Sequence, residues 1–260
     1  PFPDLADAAM VPELPVDFSL AHIAAIALLL TSWFIYPVIL RNVGRGSLNS
    51  QLIIVRQHWI SAATRRPAKP YDAVLLGHIT NSIAFFGSAT LIVLAGIVSA
   101  IANVKAIHET VAQLHFIAPT SLELFALELG LLAFVVALCF FSFTYALRKL
   151  IYTIALFGAL PDEADSCPTQ DKLVAASTMV LSEAIKTFNF GIRGYYYAIA
   201  TLCLFLSPYA SIAATVIVTT ILIFRQLATP TAHAIQDYVE AVNEWKGQPA
   251  LPARDTKKSA

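Results

Sequence analysis

The chain has 260 residues, of which 57% are hydrophobic and only 13% charged, about half of the roughly 25% carried by an ordinary soluble domain. Its 17 Lys and Arg balance 17 Asp and Glu, which excludes the basic excess that a nucleic-acid partner demands. The missing charge is concentrated in long apolar runs, so the expected solvent is the lipid bilayer and the expected fold an all-α integral membrane helical bundle.

A spanning helix needs ~20 apolar residues to cross ~30 Å of hydrocarbon. The first such run is Leu20–Leu40, with Trp33 and Tyr36 toward its end, where aromatic rings suit the headgroup boundary. Pro37 is placed to kink its last turn. Residues 1–19 contain Asp4, Asp7, Glu13 and Asp17 but no Lys or Arg. A secretory signal needs a basic region ahead of its apolar core, so this run reads as a retained anchor.

Residues 41–79 are polar and basic, with Arg41, Arg45, Arg56, Arg65, Arg66 and Lys69. Leu52, Ile53, Trp59 and Ile60 recur within them at helical spacing, which predicts an amphipathic helix lying on the membrane surface. Pro67 and Pro70 mark a turn. The second span covers 83–102 and carries Gly87, Ser88, Gly96 and Ser99. Small residues let helices approach closely in lipid, so Gly87, Ser88 and Gly96 are expected to face other helices. Residues 103–120 form a loop.

A third span starts at Leu122. Its apolar pattern continues past Arg148 and Lys149 to Leu160, as one long helix or as a helix plus an interfacial segment, and Pro161 ends it. Residues 172–188 read as amphipathic. The apolar stretch 188–224 is 37 residues long, or ~55 Å as one helix, too long for one crossing. Ser207-Pro208 breaks it near the middle, which predicts two spans, about 191–206 and 209–224; one tilted, kinked span is the alternative. A short helix is expected over 231–245.

The result is about five transmembrane helices plus interfacial amphipathic helices. Residues 1–19 form a polar outer segment, 20–227 a single membrane domain and 228–260 a polar cytoplasmic tail. Lys and Arg alternate between the loops, rich in 41–79, 146–190 and the tail and nearly absent from 1–19 and 103–120. By the positive-inside rule the N-terminus is outside and the C-terminus cytoplasmic.

Candidate chemistry is sparse. Glu128 lies ~10 Å deep at helical rise, and intramembrane carboxylates are often proton or ion sites; a satisfied structural carboxylate is the plainer reading. Glu128 and Asn81 are the intramembrane polar residues around which a transport path could form. His108, Glu109 and His115 lack a recognised metal spacing, and Cys139, Cys167 and Cys203 share none either. No metal or other cofactor is expected. No catalytic constellation is present: GxSxG, a phosphate loop, GxGxxG and CxxC are all missing from the sequence. Arg148, Lys149, Asn189, Arg193 and Tyr196 gather at one interface by depth. They form either a contact for a lipid headgroup or other anion, or an ordinary belt of snorkelling arginines and anchoring tyrosines.

Three segments stand out together. They are Ser47-Leu48-Asn49 leading to Arg56 and Trp59, then FFSFTYALRKLIYTIALFGALP (140–161), then FNFGIRGYYYAIATLCLFLSPYASIAATVIVTTILIFRQ (188–226). With FFGSAT (85–90) they resemble the membrane proteins of domain-of-unknown-function family 599, found in bacteria and plants, over most of 25–227. Gly194 and Lys149 stand where the family pattern leads one to expect alanine and a polar amide. The resemblance implies a multi-span membrane fold and no activity, so it transfers no catalytic residue.

The expected function is a non-catalytic membrane subunit or scaffold within a larger complex, in the bacterial inner membrane, with lipid and other membrane subunits as partners. A small transporter or channel is the alternative, and a lipid-acting membrane enzyme using Arg193 and the tyrosines is a third reading.

Overall fold

The computed structural model describes residues 15–43, 47–66, 70–113, 120–161, 168–245 and 247. Among them the regular structure is helical, with no strand. In chain order the helices are α1 (Leu20–Val43), α2 (Leu48–Thr64), α3 (Pro70–Ala102), α4 (Val104–Val111), α5 (Leu122–Gly158), α6 (Gln170–Leu202), α7 (Pro208–Leu227) and α8 (Pro230–Trp245).

Helix starts follow local chemistry. Ser121 Oγ accepts from the Leu124 amide at 3.1 Å and opens α5, satisfying an amide that the helix itself cannot pair. Ser207 Oγ does the same for Ala210 at 3.1 Å, with Pro208 in the first turn of α7, where the missing N–H costs nothing. A single 3-10 turn, Cys203–Phe205, separates α6 from α7, so the apolar stretch 188–224 is indeed broken at Ser207-Pro208. Pro37 lies inside α1 without ending it.

Four stretches are long and apolar enough to cross a membrane: Leu20–Leu40, Pro70–Ala102, Leu122–Gly158 and Pro208–Trp245. The protein is therefore a membrane helical bundle. The fifth expected span, 191–206, has no separate existence. It is continuous with the amphipathic segment 172–188 in the single helix α6. The reason is packing. α6 runs beside α5 and also touches α1, α2 and α7, so much of its surface meets protein instead of lipid and can carry Lys186, Asn189 and Arg193.

Other boundaries shift as well. α3 begins at Pro70, well before residue 83. α5 is one uninterrupted helix to Gly158, ~55 Å long, so it outruns the hydrocarbon. The loop 103–120 contains α4. α2 packs on α6 and α8, with Ile60 and Ala63 buried.

The two ends of the bundle differ. At one end Asp17 accepts from the Ser121 amide and hydroxyl, both at 2.6 Å, tying the start of α1 to the start of α5. Partial burial opposes ionisation of Asp17, but these two bonds outweigh it and hold its carboxyl below the usual range. A cavity of about 110 Å³ opens there among Asp17, His22, Leu124, Leu204 and Ser207. The opposite end gathers α2, α8 and the projecting ends of α3, α5 and α6.

Candidate functional site

The core centres on α5 packed against α6 and α3, and ring stacking joins α1 to α6 beside it. Trp33 is fully buried, stacks on Phe190 at 4.8 Å and donates from Nε1 to the Phe190 carbonyl at 3.3 Å. Tyr36 is equally buried and donates to the Leu222 carbonyl at 2.9 Å. Both were expected at the headgroup boundary; both instead face the bundle interior. Gly194 explains the approach, since a Cβ there would lie 2.7 Å from Trp33 Cζ2 and would overlap Cys139 Sγ.

Arg193 sits on this platform. Its guanidinium lies 4.9 Å from the Tyr36 ring centroid and 5.9 Å from that of Phe190, a geometry in which the ring face attracts the cation. Its Nε is shielded from solvent and has no hydrogen-bond partner. Asn189, Arg193 and Tyr196 are spaced i, i+4, i+7 and so share one face of α6. Tyr196 accepts from Arg225 Nη1 of α7 at 2.9 Å. The next residue, Gln226, accepts from the Asn49 amide of α2 at 3.3 Å. Arg225, Asn49 and Tyr36 are thus members of the site that depth along the sequence did not bring forward.

Arg148 and Lys149 do not join it. Lys149 Nζ donates to Thr187 Oγ1 at 2.8 Å and lies 4.0 Å from the Glu183 carboxylate. Thr187 is six residues before Arg193, ~9 Å along α6 and about 120° around it. Arg148 is exposed and donates to Tyr152 at 2.8 Å. Equal depth therefore splits into two faces, one lined by α1 and α7 and one by α5.

Glu128 is fully buried and neither carboxylate oxygen has a partner. It lies one turn below Leu124, which lines the Asp17 cavity, and within electrostatic reach of Asp17. Asn81 is exposed and far away. Gly87 of α3 faces Phe143 of α5, and counting residues from that crossing puts Asn81 and Glu128 ~30 Å apart. Ser88 and Ser99 are exposed, while Thr90 is buried and bonded to Tyr195. These residues do not form one polar track.

Of the expected packing positions, Gly87 is buried with a Cβ site 3.7 Å from Phe143. Gly96 is exposed with nothing within 4 Å of its Cβ site among the described residues, and Ser88 is exposed too; neither is covered by another described helix. The tight contacts belong to Gly191, whose Cβ would lie 2.6 Å from Phe143 Cε1, and to Gly194.

At the opposite end, the fully buried Asp72 pairs with Arg66 and accepts from Trp59 Nε1 at 2.7 Å, fastening α2 to α3. Arg56 donates to Ser182 at 3.4 Å, and burial between the helices pushes it below the ordinary arginine value. His108 Nε2 is 2.8 Å from the Thr120 carbonyl; His115 and Cys167 lie outside the described residues. No group of metal-ligating side chains occurs among the described residues.

Residues 24–231 match the family model described as "Protein of unknown function, DUF599". No match was found among curated proteins or among solved structures. The match covers most of the chain, including α6, α7 and the Arg193 platform, and the chain belongs to the DUF599 family of membrane proteins of unknown function.

Proposed function

We propose that this protein is a non-catalytic subunit or scaffold of a membrane complex, and that it docks through the outer face of α3. The observation that carries this is the composition of that face. α3 packs mainly against α5, and Ser88, Ala95, Gly96 and Ser99 are left exposed between the larger exposed side chains Phe85, Leu91 and Ile92. Between helices in lipid, association depends on close packing and not on hydrophobic drive. Small residues there suit a partner helix better than they suit lipid, to which they offer little dispersion.

The same reading places five helices across the bilayer, with α6 as the fifth, in a bacterial inner membrane. Its support is the distribution of charge. Arg56, Arg65, Arg66, Lys149, Lys172 and Lys186 belong to the end that holds α2 and α8, whereas Lys105 lies toward the other, which orients the Asp17 end outward.

A cysteine in place of Ser88, oxidised or cross-linked in native membranes, is expected to give an adduct heavier than the chain. Only the monomer band, with the cysteine shown to be reactive, would argue against docking through α3.

Glu128 favours a second reading, a small transporter. An ionised carboxylate without partners inside a bundle costs several kcal/mol and is retained where it binds a proton or ion. Proton or cation flux into liposomes holding the purified protein, abolished by Glu128→Gln, would support it.

A further inference from the structure

Among the described residues, positive charge collects around Arg193 with no acidic side chain on the helices that flank it there. The helices α1, α2 and α7 contain no Asp or Glu. The nearest acid on α6, Glu183, is ten residues or ~15 Å away and is held by Lys149 and Lys186. Two guanidinium groups nevertheless converge. Arg193 is fixed over Tyr36, and Tyr36 is pinned to the Leu222 carbonyl. Arg225 lies one turn beyond Leu222 and reaches Tyr196, itself one turn from Arg193. Both arginines lie within electrostatic reach of the Tyr36 hydroxyl.

Like charges gathered on one face of the bundle repel, and Arg193 has given up water around Nε without gaining an acceptor there. The Tyr36 and Phe190 rings offset part of that cost, and an anion supplied from outside the chain would offset the rest. We propose that Arg193 and Arg225 bind a phosphate group, namely the headgroup phosphate of an acidic phospholipid in the adjacent leaflet.

The chemistry fits in three respects. Guanidinium forks match phosphate oxygens, which a point-charge ammonium cannot do bidentately. Asn189 and Tyr196 on the same face of α6 add polar side chains. Around them Phe34 of α1 and Ile221 and Phe224 of α7 are exposed apolar side chains, a surface for acyl chains that a free phosphate would not need. The site lies toward the C-terminal end of α1, which leads into the segment carrying Arg56, Arg65 and Arg66, where a headgroup would be.

The test compares the melting temperature of the full chain in three settings. These are phosphatidylcholine nanodiscs, nanodiscs containing phosphatidylglycerol, and phosphatidylcholine nanodiscs with added inorganic phosphate. Phosphatidylglycerol is expected to raise the melting temperature, and inorganic phosphate to leave it unchanged. Arg225→Gln and Arg193→Gln are each expected to lose the rise, read against the same variant's own phosphatidylcholine value. Arg148→Gln on the other face is expected to keep it. A rise with inorganic phosphate, lost in Arg225→Gln, retains the site and assigns it to free phosphate. Equal melting temperatures in all three settings would overturn the proposal. So would an undiminished rise in Arg225→Gln, or loss of the rise in Arg148→Gln, which would report general surface charge. If Arg193→Gln fails to fold, Arg225→Gln decides alone.

Discussion

Cys139 Sγ and Trp33 occupy the place where a side chain at position 194 would begin. Gly194→Ala is therefore expected to destabilise the bundle by about 1–3 kcal/mol of overpacking, less the ~0.5–1 kcal/mol by which alanine favours a helix over glycine. Thermal unfolding in detergent would read this. Adding Cys139→Ala should recover part of the loss but not all, because the Trp33 ring remains, and such non-additivity is what contact predicts. A rise in melting temperature for Gly194→Ala alone would show that the ring and the thiol move aside freely. Glu128 gives the opposite sign. With no partner for either oxygen, Glu128→Gln is expected to leave stability unchanged or raise it, since the amide keeps the shape and removes a potential charge. A loss of about 1.5–3 kcal/mol, the usual worth of a hydrogen bond to a charged group, would mean that the carboxylate is ionised and held.

At the scale of elements, the apolar runs were legible wherever a helix faces lipid, because lipid selects for hydrophobicity alone. α1, α3, α5 and α7 follow from run length, and the break at Ser207-Pro208 follows from proline chemistry. α6 was legible only in halves. A helix wrapped by neighbours need not be apolar, so its polar first half and mixed second half looked like separate elements. The Arg193 site was half legible for a related reason. Depth follows from position along a span, but the face presented does not, so Arg148 and Lys149 were grouped with Arg193 although α5 holds Lys149 elsewhere. Trp33 and Tyr36 were misplaced because an aromatic near a helix end suits both an interface and a glycine-lined groove. If α6 crosses, the two ends of the described chain lie on opposite faces of the membrane. Val16→Cys should then react with an impermeant thiol reagent added outside intact cells, and Glu244→Cys should react only after permeabilisation. Labelling of both from outside would reduce the crossings to four.

For the whole molecule, two features bear on the proposal that the protein is a subunit. One edge, α3, is joined to the rest mainly through α5 and exposes small residues between larger apolar ones; the other side is closed by α1, α6 and α7, with Trp33 and Tyr36 buried and Arg193 half-buried over the Tyr36 ring. Internal stability and assembly should accordingly be separable by mutation. Among the described residues nothing lies within 4 Å of the Gly96 Cβ site and Gly96 is exposed, so Gly96→Leu is expected to disturb little within the chain. It would still block a helix packed closely on α3. The decisive measurement is the mass of the protein purified from native membranes in mild detergent, for the unaltered chain and for Gly96→Leu, with the melting temperature of each. The account predicts a complex larger than one chain that Gly96→Leu reduces to the monomer without lowering its melting temperature. A monomer in both cases, or a complex that survives Gly96→Leu intact, would contradict docking through α3.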